Sequence, residues 1–150
     1  MEWTTHMLSG TVAGYMITGG DLRGAFIGGL AGVIPDMDEH KSKFGRLLYP
    51  ISYPLNKLVG HRSLTHSLLF VFMVGMIFWP FSDFWFCASL MAGIIAHIVG
   101  DMLTGKVKLF YPAQKVVGFS VSPLMFTLID RTAAVLLIGY ICRELLKTFV

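Results

Sequence analysis

The stretch LTHSLLFVFMVGMIFWPFSDFWFCASLMAGIIAHIVG, residues 64–100, decides the fold class. It contains two apolar runs, 64–80 and 84–100, joined by a tight link at Pro80, Ser82 and Asp83. A bilayer core of roughly 30 Å asks for about 20 residues of helix, within a range of about 17–25. Both runs reach that length once their ends are counted, so the stretch predicts a membrane-spanning helical hairpin.

The rest of the chain agrees with a membrane setting. Its 150 residues suit one domain, 1–150. Hydrophobic residues make up 55% and charged residues 14%, against about 25% charged in ordinary soluble domains. Mean hydropathy is +0.67. Cys87 and Cys142 lie in separate apolar stretches without CxxC spacing, which argues against a disulfide framework and a cysteine metal site. The N-terminus lacks a basic n-region, so a cleaved signal peptide is not expected. The pI near 9.0 comes without a basic stripe interleaved with aromatics, and nucleic acid is not an expected partner.

Two earlier runs, 5–18 and 22–34, are shorter and rich in glycine. Gly10, Gly14, Gly24, Gly28, Gly29 and Gly32 would let helix backbones approach closely, as small residues do between membrane helices. These runs read as a second hairpin turning at Gly19, Gly20 and Asp21. A further helix is expected over about 124–146, where Asp130 and Arg131 either pair or mark an interfacial turn. The expected fold is all-α: an integral membrane bundle of two antiparallel transmembrane hairpins plus a C-terminal helix, with no sheet.

Charge sets the orientation. Lys41, Lys43, Arg46, Lys57 and Arg62 fall in 39–62, and Lys106, Lys108 and Lys115 in 105–123, whereas the hairpin tips carry only Arg23. This positive-inside asymmetry places the long loops in the cytoplasm.

On that topology four histidines and three aspartates gather at the cytoplasmic helix ends: His6, Asp36, Asp38, His61, His66, His97 and Asp101. His97 and Asp101 stand at i and i+4 on one helix face, where they can share an ion. Ser63 reads as the N-cap of the third helix, with His66 in its first turn and His61 in the loop before. Each motif alone has an ordinary reading. A single histidine at a membrane boundary is usually an interfacial polar residue, and a charge run such as 41–46 is usually a headgroup-facing loop. Ionisable groups at membrane depth, however, are rare and usually functional. His and Asp without Cys suit Zn2+, Mn2+ or Fe2+ better than an all-oxygen cage. Seven candidate ligands exceed the four of a closed zinc site, so one or two ions are expected.

The combination of His6, PDMD at 35–38, HRSLTHS at 61–67 and HIVGD at 97–101 followed by Leu103 and Thr104 resembles the YdjM family of predicted membrane-bound, metal-dependent hydrolases. That resemblance implies His6, Asp36, Asp38, His61, His66, His97 and Asp101 as metal ligands. The family is distantly similar to zinc-dependent phospholipases C. Those enzymes also use the N-terminal amine as a ligand, which is not carried over because Met1, Glu2 and Trp3 precede the motif here. The chain departs from the family's PDxDH in reading PDMDEH, which moves the histidine to His40, and it has Ser63 where the family commonly has glycine.

The expected activity is hydrolysis of a lipid or lipid-linked phosphoester at the cytoplasmic leaflet of a bacterial-type inner membrane. Asp36 or Asp38 would orient a metal-activated water or take its proton, and Arg62, Lys41 and Lys43 would bind substrate phosphate. The alternative is a non-catalytic protein in which metal braces the helices. A transporter would need ligands near the midplane rather than at one set of helix ends.

Overall fold

The computed structural model describes residues 1–39, 46, 49–59 and 62–149. Among these, α1 spans Trp3–Ile17, α2 Leu22–Ala31, α3 Tyr49–Val59, α4 Leu68–Phe78, α5 Phe84–Thr104 and α6 Pro123–Phe149. Single 3₁₀ turns cover Pro35–Asp38 and Trp79–Phe81. The all-α class is observed, with one qualification. Lys106–Val107 and Val117–Gly118 form a two-residue antiparallel ladder beside the end of α5, so the expected absence of any sheet is corrected.

Glycine governs the packing of α1 on α2. A Cβ on Gly10 would collide with the carbonyl oxygen of Gly28, one on Gly14 with that of Gly24, and one on Gly32 with that of His6. As the α1 position rises its α2 partner falls, so the two helices run antiparallel with backbones touching. The third side of this contact belongs to α5, because a Cβ on Gly93 would also strike the Gly28 carbonyl oxygen. Asp21 caps α2 by accepting the Arg23 N–H at 2.8 Å. The Arg23 guanidinium beside it holds the Asp21 carboxyl below its usual value.

Helix α5 is the axis of the fold, and α1, α2, α4 and α6 all pack on it. Its 21 residues reach about 32 Å at 1.5 Å per residue, enough to cross a bilayer core. Ile94 and Ile98 form the apolar core with Ala31, Val71, Leu90 and Val107. Half of its most apolar window is buried, against 6% for the corresponding window of α6, Pro123–Lys147. An apolar helix with so little covered is matched to lipid rather than water. The run 64–80, expected to span, instead forms the 11-residue helix α4, and Leu68–Phe81 is apolar but shorter than these two helices, because the chain around His66 is held in a turn.

Two local expectations are corrected. Helix α4 begins at Leu68 and its N-cap is Ser67, whose side chain accepts the Phe70 N–H at 3.2 Å, so Ser63 is not the cap and His66 precedes the helix. In α6, Asp130 and Arg131 neither pair with each other nor interrupt the helix, which is continuous. Both turn to the start of α1: Asp130 Oδ1 accepts the Glu2 N–H at 2.8 Å, and Arg131 Nη2 lies 3.1 Å from Glu2 Oε1.

Gly28 therefore has no room for a side chain. Gly28→Ala should destabilise the protein by about 1–3 kcal/mol or more, as overpacking does. Gly139→Ala in α6 should not, because among the described residues its added Cβ would meet nothing beyond its own helix turn within 4 Å. Thermal unfolding in detergent compares the two.

Candidate metal centre

The contact of α1, α2 and α5 brings separate parts of the sequence to one place. His6 comes from α1, Asp36 and Asp38 from the 3₁₀ turn after α2, His66 from the turn before α4, and His97 and Asp101 from the last two turns of α5. His6, Asp38, His66, His97 and Asp101 are all buried, at 0–1% exposure. The rings of His6 and His97 stack with centroids 3.7 Å apart. His40, Lys41, Lys43 and His61 lie outside the described residues.

Hydrogen bonds fix which ring nitrogens carry protons. His97 Nδ1 lies 2.7 Å from the Gly32 carbonyl oxygen. A carbonyl can only accept, so Nδ1 holds the proton and the lone pair is on Nε2. The Gly32 carbonyl is one of those left open at the C-terminal end of α2, and the imidazole satisfies it. His66 Nδ1 lies 2.9 Å from Thr65 Oγ1, and the Thr65 hydroxyl donates to Asp38 Oδ2 at 2.6 Å. With its hydroxyl proton donated to the carboxylate, Thr65 accepts from His66 Nδ1–H, and in the neutral ring that tautomer leaves the lone pair on His66 Nε2.

These two lone pairs face each other at 3.1 Å, and Asp101 Oδ2 lies 3.2 Å from His66 Nε2 and 3.9 Å from His97 Nε2. Asp101 Oδ2 accepts no hydrogen bond among the described residues. Two imidazole nitrogens and a carboxylate oxygen this close need a shared proton or a metal cation between them. Zinc bonds of about 2.0–2.1 Å in tetrahedral array put neighbouring ligand atoms about 3.3 Å apart. The residues fit a divalent ion.

His66, His97 and Asp101 thus form one group that could hold a metal, and His6, Asp36 and His97 a second. His6 Nε2 lies 3.2 Å from Asp101 Oδ1, while its Nδ1 is buried and has no hydrogen-bond partner among the described residues. Asp36 Oδ1 lies 3.6 Å from His97 Nε2, and its side chain is 17% exposed. Because one nitrogen has one lone pair, His97 Nε2 can complete only one of the two groups at a time.

Asp38 belongs to neither group. Its Oδ2 accepts the Thr65 hydroxyl and, at 3.2 Å, the Arg62 N–H, and it lies 3.7 Å from His66 Nδ1. Arg62 adopts a left-handed backbone conformation, with φ 57°. A non-glycine residue held in this region is strained and needs support from its surroundings. Its N–H is held by Asp38, and its carbonyl accepts the Lys108 N–H at 3.0 Å. The Arg62 guanidinium Nε then lies 2.9 Å from Asp101 Oδ2, and the side chain is 28% exposed. The Met1 amino group donates to Asp101 Oδ1 at 2.8 Å and to Thr104 Oγ1 at 3.0 Å.

Two contributors escape the sequence reading, the Gly32 carbonyl and Thr65, while the Met1 amine, set aside there, lies against Asp101. A helix ending just before Pro35 signals open carbonyls. The Thr65 hydroxyl beside His66 was visible only as part of a motif.

Since His97 Nε2 is common to both groups, His97→Ala should lower bound metal to below about one tenth of the wild-type content, as loss of a deprotonated ligand demands. Elemental analysis of purified protein checks this.

The comparisons with known proteins show the family. The model of the YdjM inner membrane protein family matches residues 1–149. The inner membrane protein YdjM of Escherichia coli K12 is 36% identical over 89 residues, which cover 55% of this chain and 45% of that protein. The uncharacterized protein YvsG of Bacillus subtilis 168 is 32% identical over 119 residues, covering 75% of this chain and 74% of YvsG. The match to the Escherichia coli protein thus takes in less than half of that relative's length. No solved structure matches. With nearly the whole chain matched and buried His and Asp groups able to hold a metal, this is a membrane protein of the YdjM family.

Proposed function

We propose that this protein is a membrane-bound, metal-dependent hydrolase of a lipid or lipid-linked phosphoester, with its site at the cytoplasmic leaflet. The supporting observation is the triangle of His66 Nε2, His97 Nε2 and Asp101 Oδ2, with edges of 3.1–3.9 Å, beside the partly exposed Asp36 and Arg62. The donor set suits Zn2+, Mn2+ or Fe2+, of which Zn2+ is the ion expected, and the three residues of the triangle would hold it. Bound there, such an ion would act as a Lewis acid and lower the pKa of water toward about 7.

The protein's own groups supply the rest. Asp36 would orient the attacking water and take its proton on a carboxylate oxygen. Asp38 would act through Thr65 and Arg62 rather than on the water, since its Oδ2 already accepts from both. Arg62, anchored to Asp101 through Nε, keeps its outer guanidinium N–H groups for a phosphate. Lys41 and Lys43, which lie outside the described residues, would bind substrate phosphate as the sequence reading expects.

Helix α3 supports a position at the interface. Ser52 and Asn56 face inward, and Asn56 Nδ2 donates to the Asp38 carbonyl at 2.8 Å. Tyr49, Tyr53 and Lys57 form the exposed stripe, a composition suited to headgroups. The helix would line the path of a lipid substrate to the site and, with the basic loops, keep the site on the cytoplasmic side.

A second reading has an observation in its favour. His6, His66 and His97 are completely buried and come from three separate segments, so a metal there would tie those segments together. In that case the ion is a brace and no turnover follows.

The two readings separate in nanodiscs carrying bacterial phospholipids and isoprenoid phosphates. The hydrolase should release headgroup or phosphate in a metal-dependent way, and a chelator should abolish the release. Arg62→Ala should keep its metal, because arginine offers no lone pair, while KM for anionic substrate rises about tenfold or more, the loss of a charge-assisted contact. Fully loaded wild-type protein that hydrolyses nothing across phosphoester and amide panels, and that loses thermal stability on chelation, would establish the brace.

A further inference from the structure

His66 is the ligand whose orientation depends most on a neighbour that is not itself a ligand. It stands in the turn before α4, outside any helical ladder that would fix its ring. Thr65 and Asp38, both buried at 0–1%, hold that ring: Asp38 Oδ2 takes the Thr65 proton at 2.6 Å, and Thr65 Oγ1 takes the His66 proton at 2.9 Å. We propose that Asp38 and Thr65 form a carboxylate–hydroxyl relay that sets the tautomer of His66 and holds its Nε2 in place for the metal, making both positioning residues rather than ligands.

The argument rests on donor arithmetic. A threonine hydroxyl has one proton and can accept at its lone pairs. The carboxylate accepts only, so it must receive that proton, and the direction of the second hydrogen bond follows. Asp38 Oδ2 also accepts the Arg62 N–H at 3.2 Å, which holds the chain in the left-handed conformation three residues before Thr65. The same carboxylate oxygen therefore fixes the His66 ring and the backbone that carries the Arg62 guanidinium toward Asp101. Metal-bound histidines ordinarily give their second N–H to a carboxylate or carbonyl. Here His97 does so directly to Gly32, and His66 does so through an inserted hydroxyl.

The inference rests on the metal-site reading proposed above, and the test separates the two. Full-length protein in nanodiscs is titrated with Zn2+ against a chromogenic chelator. Thr65→Val keeps the volume and removes the hydroxyl, and its Kd for Zn2+ should rise roughly 10- to 100-fold, as for lost orienting partners. Thr65→Ser restores the hydroxyl and should recover most of that loss, which a purely volume-filling role would not predict. Nitrogen NMR of histidine-labelled, zinc-free wild type should show His66 protonated at Nδ1, a measurement that stands even where Thr65→Val fails to fold. Unchanged Zn2+ affinity in Thr65→Val, a Thr65→Ser as weak as Thr65→Val, or a wild-type His66 protonated at Nε2 would each overturn the relay while leaving the metal site standing. A wild-type protein that binds no Zn2+ in this titration would overturn both.

Discussion

The backbone contact at Gly28 is the constraint on which the structure depends. Helix α1 reaches it through Gly10 and Gly14 and α5 through Gly93, and at each approach a single methyl group would strike main-chain atoms. In lipid, helices gain little from burying apolar surface against one another, so close backbone packing has to supply the association. The functional consequence lies one end away. With α1 held this tightly, His6 stacks on His97, and the end of α2 delivers the Gly32 carbonyl to the same imidazole.

The centre is built from acceptors whose protons are already committed elsewhere. Gly32 removes one tautomer of His97, and Thr65 with Asp38 removes one tautomer of His66. What remains is a set of lone pairs converging on a small volume with Asp101, whose charge is countered by the terminal amine and Arg62. Such an arrangement is costly in a low-dielectric interior unless a cation completes it. The Asp101 carboxylate also joins this cluster to the partly exposed Arg62 side chain.

Much of this was legible in the sequence. The apolar runs at 64–80 and 84–100 gave an all-helical membrane reading, and the spacing of His97 and Asp101 placed both on one face of α5. The glycines of the first two helices read correctly as sites of close approach. What could not be read was the division of labour among seven candidate ligands, because it depends on which groups already hold a proton. Asp36 and Asp38 are two residues apart and look alike in sequence, yet one faces His97 Nε2 while the other is tied to Thr65 and Arg62. The start of α4 was misread for a related reason. Ser63 and Ser67 are both good caps by type, and tertiary contacts around Thr65 and Arg62 decide for Ser67. Asp130 and Arg131 were placed on the right helix, but their common partner, Glu2, is distant in sequence.

The central claim is that buried imidazole nitrogens and a carboxylate oxygen bind a divalent ion directly. X-ray absorption at the zinc edge of the purified, zinc-loaded protein tests it. The account predicts a nearest shell of nitrogen and oxygen at about 2.0–2.1 Å, the outer-shell scattering of at least two imidazoles, and no sulfur at about 2.3 Å. A shell of oxygen alone without imidazole scattering, or one containing sulfur, would contradict it.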